Sequence, residues 1–381
     1  MHFNEYLRFT EISVFFIFSV YLFNPILSPY IKSLGFSDLQ ISLIFSLLPI
    51  SIIIFSPIVG SLSDSIGRKK VILLGIFLEI IAVLLYIYGS SWIMIGTAKI
   101  LDAIGITTVT LITLAKIEDS LDDRERGKYT GWSLSARYLG NLIGPVVGAV
   151  VASMFFIRAP FFISLGILFI LFLYVLQKEK DRKRLIKKSL NPVKDIKDFL
   201  SFKKLRGMGI LGIVMHATSP AMQVFLPLFI IEELGLNISY VGYAYFFMGI
   251  MHLLQFKFGK LSDRYGAWKV LLMGCIISAS GMALLPFTHS FLLLAAALLF
   301  MGTGNSMWNV SAWNLMSRIG ESAKEEGEIV TSYVSIAKIG AFLSFILSGF
   351  FVTYFGIKPL FIANSIIVLI GVFASYFFLR G

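Results

Sequence analysis

Five ionisable side chains stand inside long apolar runs of the sequence: Glu79, Lys99, Asp102, Arg137 and Lys338. A group in that setting is costly enough to be a functional candidate by default. Lys99 and Asp102 are three residues apart, so on a helix they share a face and can pair. The chemistry open to Asp102 is to bind and release a proton as its surroundings alternate between wet and dry, or between paired and unpaired. Lys99 or Arg137 would be the competing cation; the alternative is a static ion pair that serves helix packing. Glu79 is a second proton-coupling candidate, unless it only pairs with a neighbour or stays neutral. His216 can titrate near neutral pH, although a lone histidine in an apolar run equally suits a hydrogen-bonded packing role. Glu11, at the start of the first run, reads as an anchor at headgroup level. His2, His216, His252 and His289 lack metal-ligand spacing, and Cys275 is the only cysteine, so no metal, no cofactor and no intramolecular disulfide is expected.

The elements that must position these groups follow from composition. The chain is 57% hydrophobic, 14% charged and has a mean hydropathy of +0.84. That leaves too few charges for the surface of a water-soluble domain of this length. The apolar residues come in blocks of about 20, the length that crosses about 30 Å of hydrocarbon at 1.5 Å per residue. Twelve spans are expected, at 10–32, 39–61, 71–89, 92–116, 131–156, 159–177, 207–231, 238–258, 269–287, 290–315, 328–354 and 357–379. Hydrocarbon demands that each segment satisfy its own backbone, hence helices; the alternation of a membrane barrel is absent. The first run lacks a small-residue cleavage site and reads as a span rather than a signal peptide.

With twelve spans both termini lie on one side. That side's loops and tails hold 27 of the 33 Lys and Arg residues; the opposite loops hold only Lys32, Arg158 and Lys358. The asymmetry places the basic side, and both termini, in the cytoplasm of a cell-membrane protein. It also accounts for the net charge of +11 without nucleic acid. The longest loop, 178–206, carries twelve basic residues and divides the chain into halves, 1–177 and 207–381. Within it, residues 191–202 read as a short amphipathic helix on the membrane surface, capped by Asn191 with Pro192 in its first turn; a partner site is the other reading.

One polar turn occurs twice. "GSLSDSIGRKK" (60–70) and "GKLSDRYGAWK" (259–269) align Gly60, Asp64 and Gly67 with Gly259, Asp263 and Gly266 at an offset of 199. Two six-span halves with the same turn between their second and third spans are the pattern of duplicated transporters. Here the sequence resembles the major facilitator superfamily, whose loop signature is G-x-L-x-D-R-x-G-R-[KR]. The first copy has Ser65 in place of the first Arg. The second keeps Arg264 but has Ala267 and Trp268 at the basic pair. The resemblance implies an all-α membrane fold of two pseudo-symmetric six-helix bundles. It also implies that Asp64 and Arg68 latch the two halves at the cytoplasmic face; a charged turn that merely keeps helix ends out of lipid is the plainer reading.

Span five carries "GNLIGPVVGA" (140–149), similar through Gly140, Gly144, Pro145 and Gly148 to a motif the family associates with antiporters. Its glycines also suit a plain packing seam, and Pro145 can kink the helix. "YLFNPILSPYI" (21–31) resembles a first-span region of drug–proton antiporters. In "AKILDAIG" (98–105), Lys99 occupies the place of a family Arg. The family places spans 1, 4, 7 and 10 around the cavity. Span 4 carries Thr107, Thr108, Thr110 and Thr113. Tyr21, Asn24, His216, Gln223, Asn305, Trp308, Asn309 and Lys338 are the substrate-cavity candidates. Amides mixed with aromatics suit a moderately amphipathic compound. The expected function is proton-coupled export of such a compound by alternating access, with membrane lipid as its surroundings and a monomer as its state. The alternative is a sugar or metabolite symporter or uniporter. No nucleotide-binding G-x(4)-G-K-[ST] and no H-E-x-x-H occurs, and no loop is long enough for a catalytic domain, so an enzyme or ATP-driven pump is disfavoured.

Overall fold

The computed structural model describes residues 3–122, 126–178, 202–323 and 326–380, and among them only helices and their connections occur. The surface helix expected at 191–202 lies almost wholly outside them. The first half contains α1 (Phe3–Phe23), α2 (Leu27–Ser33), α3 (Asp38–Ile66), α4 (Arg68–Tyr88), α5 (Trp92–Asp119), α6 (Arg126–Met154) and α7 (Ala159–Lys178). The second contains α8 (Lys203–His216), α9 (Ser239–Gly249), α10 (Gln255–Tyr265), α11 (Ala267–Leu284), α12 (Phe291–Ala323), α13 (Glu326–Phe355) and α14 (Ile357–Leu379).

Among the described residues, eleven segments are long and apolar enough to cross a membrane. The eighth expected span differs. It runs as α9, a 3-10 stretch at Ile250–Leu254 and α10, and its second part carries Lys257, Lys260, Asp263 and Arg264. The interruption follows Gly249, and the charges lower the hydropathy of what comes after it. Spans one and seven are also interrupted. Asn24–Ile26 forms a 3-10 turn with Pro25 inside it. In span seven α8 stops at His216, because Pro220 has no N–H to offer the His216 carbonyl. The chain continues through π-helical turns at Ala221–Phe225 and Phe229–Glu233, and the Ser344 hydroxyl of α13 donates to the Ala217 carbonyl. All three interruptions, none of them expected from the sequence, lie next to a Gly or Pro.

By contacts the chain forms two compact units: residues 1–36, 47–189 and 237–242, and residues 37–46, 190–236 and 243–381. In the first, Phe23, Tyr30, Tyr86 and Phe161 form one aromatic core, with Phe161 centred 4.9 Å from both Phe23 and Tyr30. In the second, Leu211, Met215, Leu271, Cys275, Ala312 and Tyr333 are buried together.

The repeated turn has one backbone geometry in both copies. Gly67 sits at φ +96° and ψ +147°, Gly266 at φ +94° and ψ +131°. Gly67 N–H donates to the Ser63 carbonyl and Gly266 N–H to that of Ser262. This combination of angles is nearly closed to side chains. Gly67→Ala and Gly266→Ala are each expected to cost about 1–3 kcal/mol, read as a lowered unfolding midpoint of the purified protein. An unchanged midpoint at either position would remove the conformational reason for the glycine.

Candidate functional site

In the first unit α4 and α5 lie side by side and bring three ionisable groups together. Lys99 Nζ is 2.8 Å from Asp102 Oδ2, and both side chains are wholly buried, 0% exposed. The spacing of three that suggested a pair is thus realised; Lys99, not Arg137, is the partner. Tyr86 Oη donates to the same Asp102 oxygen at 3.2 Å. Tyr30 Oη in turn donates to the Tyr86 carbonyl at 2.6 Å, so the aromatic core seals one end of the cluster.

Glu79 completes it. Its side chain is 0% exposed, and Asp102 and Lys99 are the charged groups that act on it. As bare carboxylates the two cannot bond to each other, and neither Glu79 oxygen nor Asp102 Oδ1 has a hydrogen-bond partner. Gly105 makes room for Glu79: a Cβ there would fall 2.6 Å from Glu79 Oε2. If all three groups were ionised, two carboxylates would face one ammonium in a closed apolar interior. One carboxyl proton balances the charge and supplies the missing donor.

Tyr21 stands beside this cluster, with Asp102 and Arg137 as the charged groups acting on it. It is held there by span five. A Cβ on Gly144 would come 2.9 Å from Tyr21 Cβ, while Gly140 faces the backbone of Val14 and Phe18, and Gly148 that of Leu22. The resemblance to an antiporter motif is, in physical terms, a seam along which α6 lies directly on α1. Pro145 sits within α6 without ending it.

The other candidates are dispersed. Asn24 and Gln223 are half-buried in the interrupted stretches of spans one and seven. Asn305 accepts from Ser278 Oγ at 2.8 Å and so ties α12 to α11; Asn309 is half-buried. Thr110 and Thr113 each return their hydroxyl to their own helix at 2.6 Å. In the second unit His216 Nδ1 lies 3.0 Å from the Gly212 carbonyl, and its ring meets that of Trp308 edge-on at 5.6 Å. Lys338 acts on His216 electrostatically.

At the repeated turns, Arg68 pairs with Asp119 at the end of α5, and Lys69 donates to the Leu176 carbonyl at 2.8 Å. The ion pair of Arg68 is therefore internal to its own unit. Gly60 and Gly259 are helical positions, with open space beside Gly60. Asp263 accepts from Asn314 Nδ2 at 3.1 Å, and Arg264 lies over the Tyr265 ring. Asp64 is half-buried.

Three features escaped the sequence. Tyr86 belongs to the acid cluster, and its spacing of seven from Glu79 on α4 was a usable signal. Lys116 pairs with Glu5 at 3.2 Å. Glu11 does not begin the first span: α1 starts at Phe3, because Tyr6 donates to the Tyr129 carbonyl and Thr10 bonds Ser133 at 2.6 Å. Glu11 instead lines an apolar cavity of about 260 Å³ with Ile12, Phe15, Ile167, Ile170, Leu171 and Tyr174, and accepts from Tyr174 Oη at 3.3 Å. Among the described residues no group of three or more His, Cys, Asp or Glu could hold a metal ion.

A family model described as Major Facilitator Superfamily matches residues 12–326 and 253–381. An uncharacterised MFS-type transporter of Methanocaldococcus jannaschii is 27% identical over 92% of this chain and 92% of that one. The multidrug resistance protein MdtG of Dickeya zeae is 24% identical over 94% of this chain and 90% of its own length. The crystal structure of the nucleoside transporter NupG covers 99% of this chain and 100% of its own, with a TM-score of 0.81 at 15% identity, a likeness of fold alone. The twin turns, the span pattern and the match across both halves agree: this chain belongs to the Major Facilitator Superfamily and is one of its multi-pass membrane transporters.

Proposed function

We propose that the protein exports a small amphipathic compound in exchange for protons, with its basic face and both termini in the cytoplasm. The observation that carries this reading is the sealed Lys99–Asp102–Glu79 cluster. Its charges balance only when one carboxyl holds a proton, and a site that stores a proton inside the first unit is what coupling to a proton gradient requires. Hydration of the cluster, or displacement of Lys99 from Asp102, would release that proton. The name of the Dickeya zeae relative, a multidrug resistance protein, supports outward movement. In the first unit Tyr21 and Asn24, and separately in the second Gln223, Trp308 and Asn309, are half-buried side chains that offer hydrogen bonds and aromatic faces rather than dense charge, which suits an amphipathic cargo.

The test is transport by reconstituted vesicles containing a pH-sensitive dye, challenged with a panel of amphipathic compounds. Cargo should move against its own gradient when protons flow the other way, with a matching pH change in the lumen. Movement that continues unchanged when a protonophore collapses the gradient would return the chain to facilitators that equilibrate a metabolite.

A further inference from the structure

The groove between α1 and α7 holds a carboxylate at a depth where lipid is expected to meet only apolar groups. The first span runs from Phe3 to Ser33, 31 residues, or roughly 46 Å at 1.5 Å per residue. Centred on about 30 Å of hydrocarbon, that length puts Glu11 about 5 Å inside the boundary. Its partner on α7 gives the same depth independently. Tyr174 lies four residues before the helix end at Lys178, about 6 Å along the axis.

Glu11 is exposed at that depth, as are Phe15 at 55% and Ile170 at 69%. Ionisable groups in spans normally face a bundle interior or a counter-charge. Glu11 has neither among the described residues, where its one partner is the Tyr174 hydroxyl, a neutral donor at 3.3 Å. Arg8, one turn nearer the start of α1, donates its Nε–H to the Asn4 carbonyl instead. The walls beside the carboxylate, Ile12, Phe15, Ile167, Ile170 and Leu171, are wholly apolar and enclose about 260 Å³. That is just below the roughly 300–1,000 Å³ of drug-sized pockets, and holds one ring system or one chain.

We propose that this groove is a binding site, open to the membrane, for a primary ammonium carried directly on one apolar ring system, with Glu11 as its counter-charge. An ammonium supplies the charge and the hydrogen-bond donors that the carboxylate lacks. The Tyr174 and Phe15 rings add faces on which a cation can lie, and the attached ring fills the apolar part. A phospholipid fits less well. Its phosphate stands between its ammonium and its acyl chains, so chains seated in the groove would bring an anion against Glu11. The site does not depend on proton exchange, and its occupancy can be measured without transport.

The experiment measures binding of radiolabelled 1-naphthylmethylammonium to the whole protein in phosphatidylcholine nanodiscs, with empty nanodiscs as the blank. Wild type should show saturable binding above the blank, and 1-naphthoate, the same ring with the opposite charge, should not displace it. Glu11→Gln should weaken binding by about tenfold or more. Ile170→Trp, which fills the groove and leaves the carboxylate, should weaken it as much. Both positions are exposed, so both variants should keep wild-type gel-filtration behaviour. An equal mixture with phosphatidylethanolamine, whose headgroup is itself a primary ammonium, should leave binding unchanged. No saturable binding by wild type, displacement by naphthoate, or full binding by either variant would overturn the proposal. Loss of binding in the phosphatidylethanolamine mixture would also overturn it, by giving the groove to a lipid headgroup.

Discussion

Glu79→Gln is expected to yield a folded protein that has lost proton-driven transport. The substitution keeps the Lys99–Asp102 pair, 2.8 Å apart and wholly buried, and replaces only the carboxyl whose two oxygens have no partner. An amide can donate to Asp102 where a proton would otherwise be needed. Stability should therefore stay within about 1 kcal/mol, while movement of cargo against its gradient falls by about tenfold or more. Asp102→Asn should likewise fold, with Glu79, on which Lys99 already acts, taking over as its counter-ion. In that variant, too, the one remaining carboxylate stays paired with Lys99 and no proton is stored. The double variant removes both carboxylates and strands Lys99 in the interior, at a cost of about 3–5 kcal/mol, and should be recovered in poor yield with a sharply lower unfolding midpoint. Full coupling in Glu79→Gln would show that the transported proton is held elsewhere. A double variant as stable as wild type would show that neither carboxylate balances Lys99.

The contrast between Asp102 and Glu79 shows how far this site could be read in advance. Lys99 and Asp102 lie on one helix, so a spacing of three already brings them together, and apolar neighbours already mark them as costly. Glu79 is on a different helix. Its role depends on α4 lying against α5 at Gly105, a contact that sequence spacing does not encode. The same division holds for the fold. Gly67 and Gly266 were legible because a backbone angle demands glycine at both, and the twelve apolar runs because hydrocarbon fixes their length. The start of the first span was not legible. Residues 3–9 are too polar to register as apolar, yet they stay helical because Tyr6 bonds α6. Asn305 looked like a cavity residue by type alone; its bond to Ser278 is decided by which face of α12 meets α11.

The seam between α1 and α6 gives a graded test of whether those glycines are structural, mechanistic or both. A Cβ on Gly148 would lie 1.7 Å from the Leu22 carbonyl oxygen and 2.6 Å from its carbon, both backbone atoms that cannot turn aside. Gly148→Ala must push the helices apart, and is expected to cost about 3 kcal/mol or more. At Gly144 the nearest atoms are Tyr21 Cβ at 2.9 Å and its carbonyl carbon at 3.1 Å, and at Gly140 the Phe18 nitrogen at 3.1 Å. The unfolding midpoint should therefore fall most for Gly148→Ala, less for Gly144→Ala and least for Gly140→Ala. Transport should follow a different order. Gly144 alone holds Tyr21, on which Asp102 and Arg137 both act, so Gly144→Ala should lose more proton-driven transport than its stability loss explains. Gly140→Ala should lose no more than its fraction unfolded. A midpoint for Gly148→Ala equal to wild type would mean that α1 and α6 do not lie in backbone contact. Matched losses of transport and stability along the whole series would leave the seam a packing device, with no hold on the acid cluster.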